Sequence, residues 1–361
     1  MEENLPKAST HKLTIAEIAA QAGVSIPTVS RVLNGRPDVA PATRARIEQI
    51  IKESGYVRSS AAKALRKGSS GIIDLLVPHL DNQYVTEIVR GVEEALERTG
   101  LRLALSFTQG KSFGERQWLD KIADRATDGV ILVLARGQSS RLNELRQRGI
   151  PFVVVDHRGE LGPDVPSVGS TNWAGGRIAV EYLLSLGHKR IAIIAGPPSF
   201  RCSLDRIAGY CSALEAAGIP IDPNLIRPGD FRLQSGYTQT MALLALPHPP
   251  TAIFAGSDMQ AMGVYKALYL RNIRVPEGMS VIGFDDIPFT GIASPSLTSV
   301  RQPLFDMGRV ATTMLLRLVA GESLDSPRVE LATTLITRES CAPPRSPSLK
   351  PREDSQQSTL E

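Results

Sequence analysis

Residues 13–34 read LTIAEIAAQAGVSIPTVSRVLN. Thr14 is placed to cap a helix in which Ile15, Ile18 and Ala19 share one face at spacings of three and four, and Glu17, three residues on, completes a capping box. Gly23 supplies a left-handed turn. Ser25 then caps a second helix whose inner stripe is Val29, Val32 and Leu33, which leaves Ile26, Pro27, Ser30 and Arg31 facing outward. Pro27 lies in the first turn, where an N–H has no helical partner to lose. A third helix is expected from Pro41, with Ile47, Ile50 and Ile51 closing a small core. Two short helices joined by a glycine turn, with a third behind them, form the pattern of a helix-turn-helix DNA-binding unit.

Charge divides the chain in the same place. Residues 1–70 hold eleven Lys and Arg against six acids, a net of +5, while all 361 residues carry only +4. Basic charge gathered in one small segment suits phosphate contact. No apolar run reaches membrane length and residues 1–12 are polar, so neither a membrane span nor a signal peptide is expected. Cys202, Cys211 and Cys341 fit no metal-ligand spacing and no paired framework, and read as reduced thiols of a cytoplasmic protein.

From residue 71 strands and helices alternate. Short apolar runs at 72–78, 103–107, 130–134, 152–156, 191–195, 252–255 and 281–284 predict strands, and helical patterns follow at 84–98, 174–186, 203–217 and 259–270. The alternation implies parallel sheets covered on both faces. Roughly 270 residues exceed one typical doubly wound domain, so two lobes are expected.

The chain resembles the lactose/galactose-repressor (LacI/GalR) family of transcription factors over residues 13–343. The most specific stretch is AGVSIPTVSRVLNGRPDVAPATRARIEQIIKESGYV, supported by GHKRIAIIAG, SLDRIAGY, AIFAGSDMQAMGVYKAL, VIGFDDIP and LTSVRQP in order. The resemblance implies an all-α helix-turn-helix headpiece with a hinge helix, followed by a periplasmic-binding-protein-like α/β core of two lobes with parallel sheets. The expected organisation is an arm at 1–12, the headpiece at 13–57, a hinge at 58–70, a core at 71–341 and a disordered tail at 342–361. Lobe one takes 71–187 and 304–330 and lobe two 188–303 and 331–341, with crossings near Gly187, Pro303 and Leu331.

By that resemblance the second helix enters the major groove. Ile26 and Pro27 can read thymine methyls and shape, and Arg31 guanine O6 and N7. Thr28, Ser30 and Asn34 suit phosphate and register contacts, and Thr14 and Ser25 are also assigned to the DNA-binding surface. In the hinge, Ser59, Lys63 and Leu65 are assigned to DNA, with Leu65 matching a leucine that pries open a base step when two hinges meet over the minor groove. The family's usual Pro-Asn entry to the hinge is replaced here by Arg58 and Ser59. Double-stranded operator DNA and a second copy of the chain are the implied macromolecular partners, and the tail carries no leucine heptads for a larger assembly.

In such sheets ligands bind beyond the carboxyl ends of the strands, which between two lobes is the interlobe cleft. The residues expected there are Asp81, Asn82, Tyr84, Asn172, Trp173, Phe231, Ser257, Asp258, Asp285 and Gln302. Arg206, in SLDRIAGY, matches the family arginine that holds the effector. An arginine fork flanked by carboxylates fits vicinal hydroxyls, and aromatic faces fit the apolar side of a sugar ring. The stretches VGSTNWAGGRIAVEYL, CSLDRIAGY and GDFRLQSGY are most similar to regulators of xylan or β-xyloside use, which favours a pentose or xylo-oligosaccharide effector. No cofactor, metal or membrane partner is expected.

Enzyme readings find little support. Asp285 and Asp286 are adjacent on a strand end and point apart, and the five histidines are scattered without ligand spacing. A transport binding protein would explain the lobes but not the basic headpiece. A regulator of opposite sign, using a corepressor, stays open at this stage.

Overall fold

The computed structural model describes residues 13–56, 69–78, 83–107, 122, 127–136 and 140–345. Ser59, Lys63, Leu65, Asp81 and Asn82 lie outside them, with the arm and most of the hinge and tail. The chain divides into two compact units, residues 1–68 and 69–361.

The first unit is built from α1 (Ile15–Ala22), α2 (Ile26–Leu33) and α3 (Pro41–Ser54). The expected capping box opens α1: Thr14 Oγ1 accepts from the Glu17 amide at 3.3 Å, and the Thr14 amide donates to Glu17 Oε2 at 2.5 Å. Gly23 ends α1 at φ 62°. Ser25 stands at the N-cap of α2 but caps no backbone group; its hydroxyl lies 2.9 Å from Thr28 Oγ1 instead. Ala40, which precedes α3, has no side chain with which to cap, and Pro41 keeps the first helical position. Ile18, Ala19, Ala22, Val29, Val32, Val39 and Ile47 are buried together, with Leu33, Ile50 and Ile51 packed partly buried around them.

The second unit holds two six-stranded sheets. One is ordered β11-β5-β4-β3-β1-β2 and the other β12-β10-β9-β8-β6-β7. Their strands are β1 (Ile72–Val77), β2 (Arg102–Phe107), β3 (Gly129–Arg136), β4 (Phe152–Arg158), β5 (Ser167–Ser170), β6 (Ile191–Ile194), β7 (Ile226–Arg227), β8 (Ala252–Ala255), β9 (Ser280–Asp285), β10 (Thr298–Arg301), β11 (Arg328–Leu331) and β12 (Thr334–Ile336). Every pairing between them is parallel except β10 with β12. The central strands β1, β6, β8 and β9 are buried almost throughout, as a sheet covered on both faces requires. The covering helices are α4 (Gln83–Leu96), α5 (Ser140–Gln147), α6 (Asn172–Ser185), α7 (Arg201–Ala216), α8 (Leu233–Leu244), α9 (Asp258–Leu270) and α10 (Leu304–Val319). Among the described residues no helix is long and apolar enough to cross a membrane.

The strands that the sequence does not announce are short or polar. β5 is SVGS and β10 is TSVR, and β11 alternates exposed with half-buried positions at a sheet edge. One crossing differs from expectation. α6 packs Ala179, Val180 and Leu183 into the core of the second sheet, so the chain leaves lobe one at Thr171 and not at Gly187. The helix follows β5 in sequence but finds its apolar partners across the cleft. The later passages fall at Gln302–Pro303, between β10 and α10, and at Ala332–Thr333, between β11 and β12. Thr171 and Thr333 meet hydroxyl to hydroxyl at 3.0 Å, tying two passages together.

Candidate functional site

The carboxyl ends of β1, β3, β4, β8 and β9 converge with the starts of α4, α7 and α9 on a cavity of about 660 Å³. At its centre is Arg206, only 4% exposed. Gly176 of α6 and Gly209 of α7 let the two helices cross in backbone contact; a Cβ at Gly176 would overlap the Arg206 carbonyl, and one at Gly209 the Trp173 carbonyl. That crossing sets Arg206 beside the first residue of α6. Its Nε donates to Asn172 Oδ1 at 2.9 Å and its Nη1 donates to the Gly256 carbonyl. The guanidinium lies 3.6 Å above the centroid of Phe284 and 5.3 Å from that of Phe231. Two hydrogen bonds and a stacked ring fix the plane of the fork, and among the described residues Nη2 makes no hydrogen bond.

Two carboxylates face this cation. Asp285 ends β9 and accepts from Gln302 Nε2 at 2.7 Å. Burial raises its pKa to about 6, against the opposing pull of Arg206 and the Gln302 hydrogen bond. Asp156 lies near the carboxyl end of β4 in lobe one and accepts from the Tyr84 hydroxyl at 2.5 Å. Burial raises its pKa as well, opposed by Tyr84 and Arg206. Phe200 and Phe231 meet edge to face at 5.9 Å and give the cavity an aromatic wall. Asp230, Arg232 and Gln234 bring further polar groups.

Backbone strain gathers at the same place. Among the described residues six non-glycine residues have positive φ, and four of them, Leu134, Asp156, Phe231 and Asp285, line the cavity. Such conformations cost about 1–3 kcal/mol each and persist where a site over-determines them.

Of the expected cleft residues described, Tyr84, Arg206, Phe231, Ser257 and Asp285 line the cavity. Asn172 stands behind Arg206 as its acceptor. Asp258 is fully buried and accepts from Ser299 Oγ at 2.6 Å and the Ile287 amide at 2.9 Å, so it braces the loop after β9. Burial and the neighbouring Asp285 push its pKa well up. Gln302 is a strut: it accepts from Ser170 Oγ of lobe one at 2.5 Å and donates to Asp285 of lobe two. Trp173 does not reach the cavity; it is 44% exposed, with the Arg177 guanidinium 5.5 Å from its ring. As the second residue of α6 it points away from the face that carries Asn172. Asp156, Phe200 and Cys202 were not anticipated. Asp156 closes a predicted strand and Cys202 lies one helical turn before Arg206, so both positions carried a readable signal.

On the headpiece, Ile26, Pro27 and Arg31 are exposed on α2, with Ile26 44% exposed. Thr28 and Ser30 are half-buried beside them, and Asn34 donates from Nδ2 to the Ser30 carbonyl at 2.7 Å. Arg31 Nε lies 3.4 Å from Asp38 Oδ2. Thr14 caps α1, whereas Ser25 stands at the N-cap of α2 with its hydroxyl turned to Thr28. Among the described residues no group of three or more His, Cys, Asp and Glu converges to hold a metal ion.

A three-helix DNA-reading unit and a two-lobed unit with a charged cleft, carried on one chain, define a ligand-responsive DNA-binding regulator. Residues 14–59 match the model of bacterial regulatory proteins of the lacI family, and residues 180–341 match a periplasmic binding protein-like domain. The ribose operon repressor of Halalkalibacterium halodurans is 35% identical over 326 residues, covering 90% of this chain and 96% of that protein. A solved complex of the transcriptional regulator CelR with cellobiose superposes with a TM-score of 0.70 at 34% identity, covering 91% of this chain and 99% of the other. A lac repressor dimer bound to operator and an anti-inducer superposes with a TM-score of 0.80 at 27% identity, with the same coverage. The chain belongs to the LacI family of bacterial regulatory proteins and is a transcriptional repressor, not an enzyme.

Proposed function

We propose that this repressor acts as a cytoplasmic homodimer that holds a pseudo-palindromic operator in the absence of its effector and releases it when a sugar enters the cleft. The observation that carries this reading is the meeting of Arg206 with Asp285 of lobe two and Asp156 of lobe one in one cavity. Cation and carboxylates together match the donors and acceptors of vicinal hydroxyls, and Phe200 and Phe231 match the apolar face of a ring. A ligand that touches Asp156 and Asp285 at once favours one arrangement of the lobes. To move the operator from about 1% to about 99% free, it must prefer the low-affinity state by roughly 5.5 kcal/mol.

Two relatives support a sugar: one is named for a ribose operon and one was solved with cellobiose. The cavity, of about 660 Å³ and with Asp156 and Asp285 contributed by different lobes beside the Phe200–Phe231 wall, suits two linked sugar units better than a single pentose. Xylobiose is therefore the favoured effector. The lac repressor dimer on its operator supports the DNA-bound assembly, with Ile26, Pro27 and Arg31 reading base edges. The proposed lobes are 69–171 with 304–331, and 172–301 with 334–345.

A thermal-shift screen with xylose, xylobiose and cellobiose tests the effector. Ligand at about 100 times its dissociation constant adds roughly 2.7 kcal/mol of stability. A shift selective for xylobiose and lost in Arg206→Ala supports the reading. A shift of the same size in that variant removes Arg206 from the site.

A further inference from the structure

The second lobe carries another depression, at the opposite end of its sheet from the cleft. Ser257 follows β8 and Asp285 ends β9 on the cleft side, whereas Pro250 comes just before β8 and Met279 just before β9. α9 spans the distance, with Ser257 as its N-cap at the cleft and Arg271 as its C-cap at the depression. Thirteen helical residues rise about 20 Å. The two cavities are therefore separate.

This depression, of about 840 Å³, has an apolar floor that includes Pro250, Ile273 and Met279 and is bordered by Arg271, Arg274 and Arg345. Among the described residues no acidic side chain lines it. Elsewhere in the unit arginines are commonly neutralised by neighbours: Arg148 by Glu144, Arg177 by Glu181, and both Arg301 and Arg338 by Asp286. Arg271, Arg274 and Arg345 make no ion pair or side-chain hydrogen bond among the described residues. The α9 dipole accounts for a cation at its C-terminus, which is Arg271. It does not account for Arg345, which arrives from beyond β12. Three guanidiniums bordering one apolar floor, with no ion pair among the described residues, make the depression favourable for an anion.

We propose that this depression is a second ligand site, taking a small organic phosphate. The guanidinium forks hold the phosphate oxygens in bidentate pairs, and the apolar floor takes the body that carries the phosphate. A dianionic phosphate suits three cations better than a carboxylate does. The site does not depend on the identity of the cleft effector.

Titration calorimetry of the full chain with phenyl phosphate tests this, with inorganic phosphate, phenol and benzoate as separate titrants. Phenyl phosphate is expected to bind more tightly than any of the other three. The double variant Arg271→Gln with Arg274→Gln is expected to weaken it about tenfold or more, since each charged hydrogen-bonding group contributes on that order. Arg345→Gln alone weakens it in the same direction, and Arg206→Gln leaves it unchanged. All three arginines at the depression are exposed, so their variants should keep the wild-type melting temperature. Absence of binding at millimolar phenyl phosphate overturns the proposal. So does equal affinity in the double variant, or a loss confined to Arg206→Gln, which would place the anion in the cleft.

Discussion

Arg206 on α7 and Asn172 at the start of α6 are joined by a 2.9 Å hydrogen bond from Nε to Oδ1, both side chains buried. The bond occupies one edge of the guanidinium and so decides which edge is offered to the cleft. A charged hydrogen bond of this kind contributes about 1.5–3 kcal/mol. Asn172→Ala is expected to leave the cation in place but loosely aimed, weakening sugar binding about tenfold or more by calorimetry. Arg206→Lys keeps charge and loses the fork, and is expected to bind no better than Asn172→Ala. Full affinity in Arg206→Lys would show that charge alone suffices.

Gln302 links the lobes by accepting from Ser170 and donating to Asp285. Gln302→Ala leaves Asp285 without that donor in a buried setting, which costs about 1–3 kcal/mol. The melting temperature of the core should fall by several degrees, at about 2–4 °C per kcal/mol for a unit of this size. An unchanged melting temperature would mean that water replaces the amide at no cost.

The pH dependence of stability follows from the same carboxylate. Its folded pKa of about 6 lies above the ordinary value of 3.8, so the unfolded chain loses this proton first as pH rises. Between about pH 4 and pH 6 the folded state holds more protons than the unfolded one, and Asp285 makes stability fall with rising pH across that window. Asp156 and Asp258 are shifted upward too and add to the same slope. Asp285→Asn should flatten it in urea melts taken from pH 4 to pH 7. Sugar affinity should rise through about pH 6 in the wild type, as the carboxylate that accepts hydroxyl protons becomes ionised. A variant with the wild-type slope would contradict the assignment.

Cys202 lines the cavity but is nearly buried, and burial pushes its thiol up to about 12. The thiolate is the reactive form, so iodoacetamide at pH 8 should leave Cys202 unmodified in the native protein and modify it in urea, read by peptide mass spectrometry. Rapid native labelling would show a more open cleft.

Much of this was legible in the chain itself. The headpiece could be read because capping, the Gly23 turn and the apolar stripe are local, and Thr14 and Glu17 meet as their spacing requires. The central strands could be read because burial on both faces leaves runs such as Ile191–Ile194 wholly apolar. β5 and β11 escaped because their pairing is set by partners distant in sequence. The same reason moved the first crossing to Thr171: only the packed structure shows which sheet α6 covers. In the cleft, strand-end position found Asp285 but could not separate lining groups from supports. Asp258 and Gln302 are supports because of partners, Ser299 and Ser170, that no spacing announces.

The central claim is that occupancy of the Arg206 cleft controls operator binding. It is tested most directly by fluorescence anisotropy on a DNA duplex selected from a random pool by the full chain, titrated with and without saturating xylobiose. The account predicts that saturating xylobiose weakens the wild-type complex about 10⁴-fold and leaves the Arg206→Ala complex unaffected. Unchanged wild-type affinity under a sugar that demonstrably binds, or an equal response in Arg206→Ala, would contradict it.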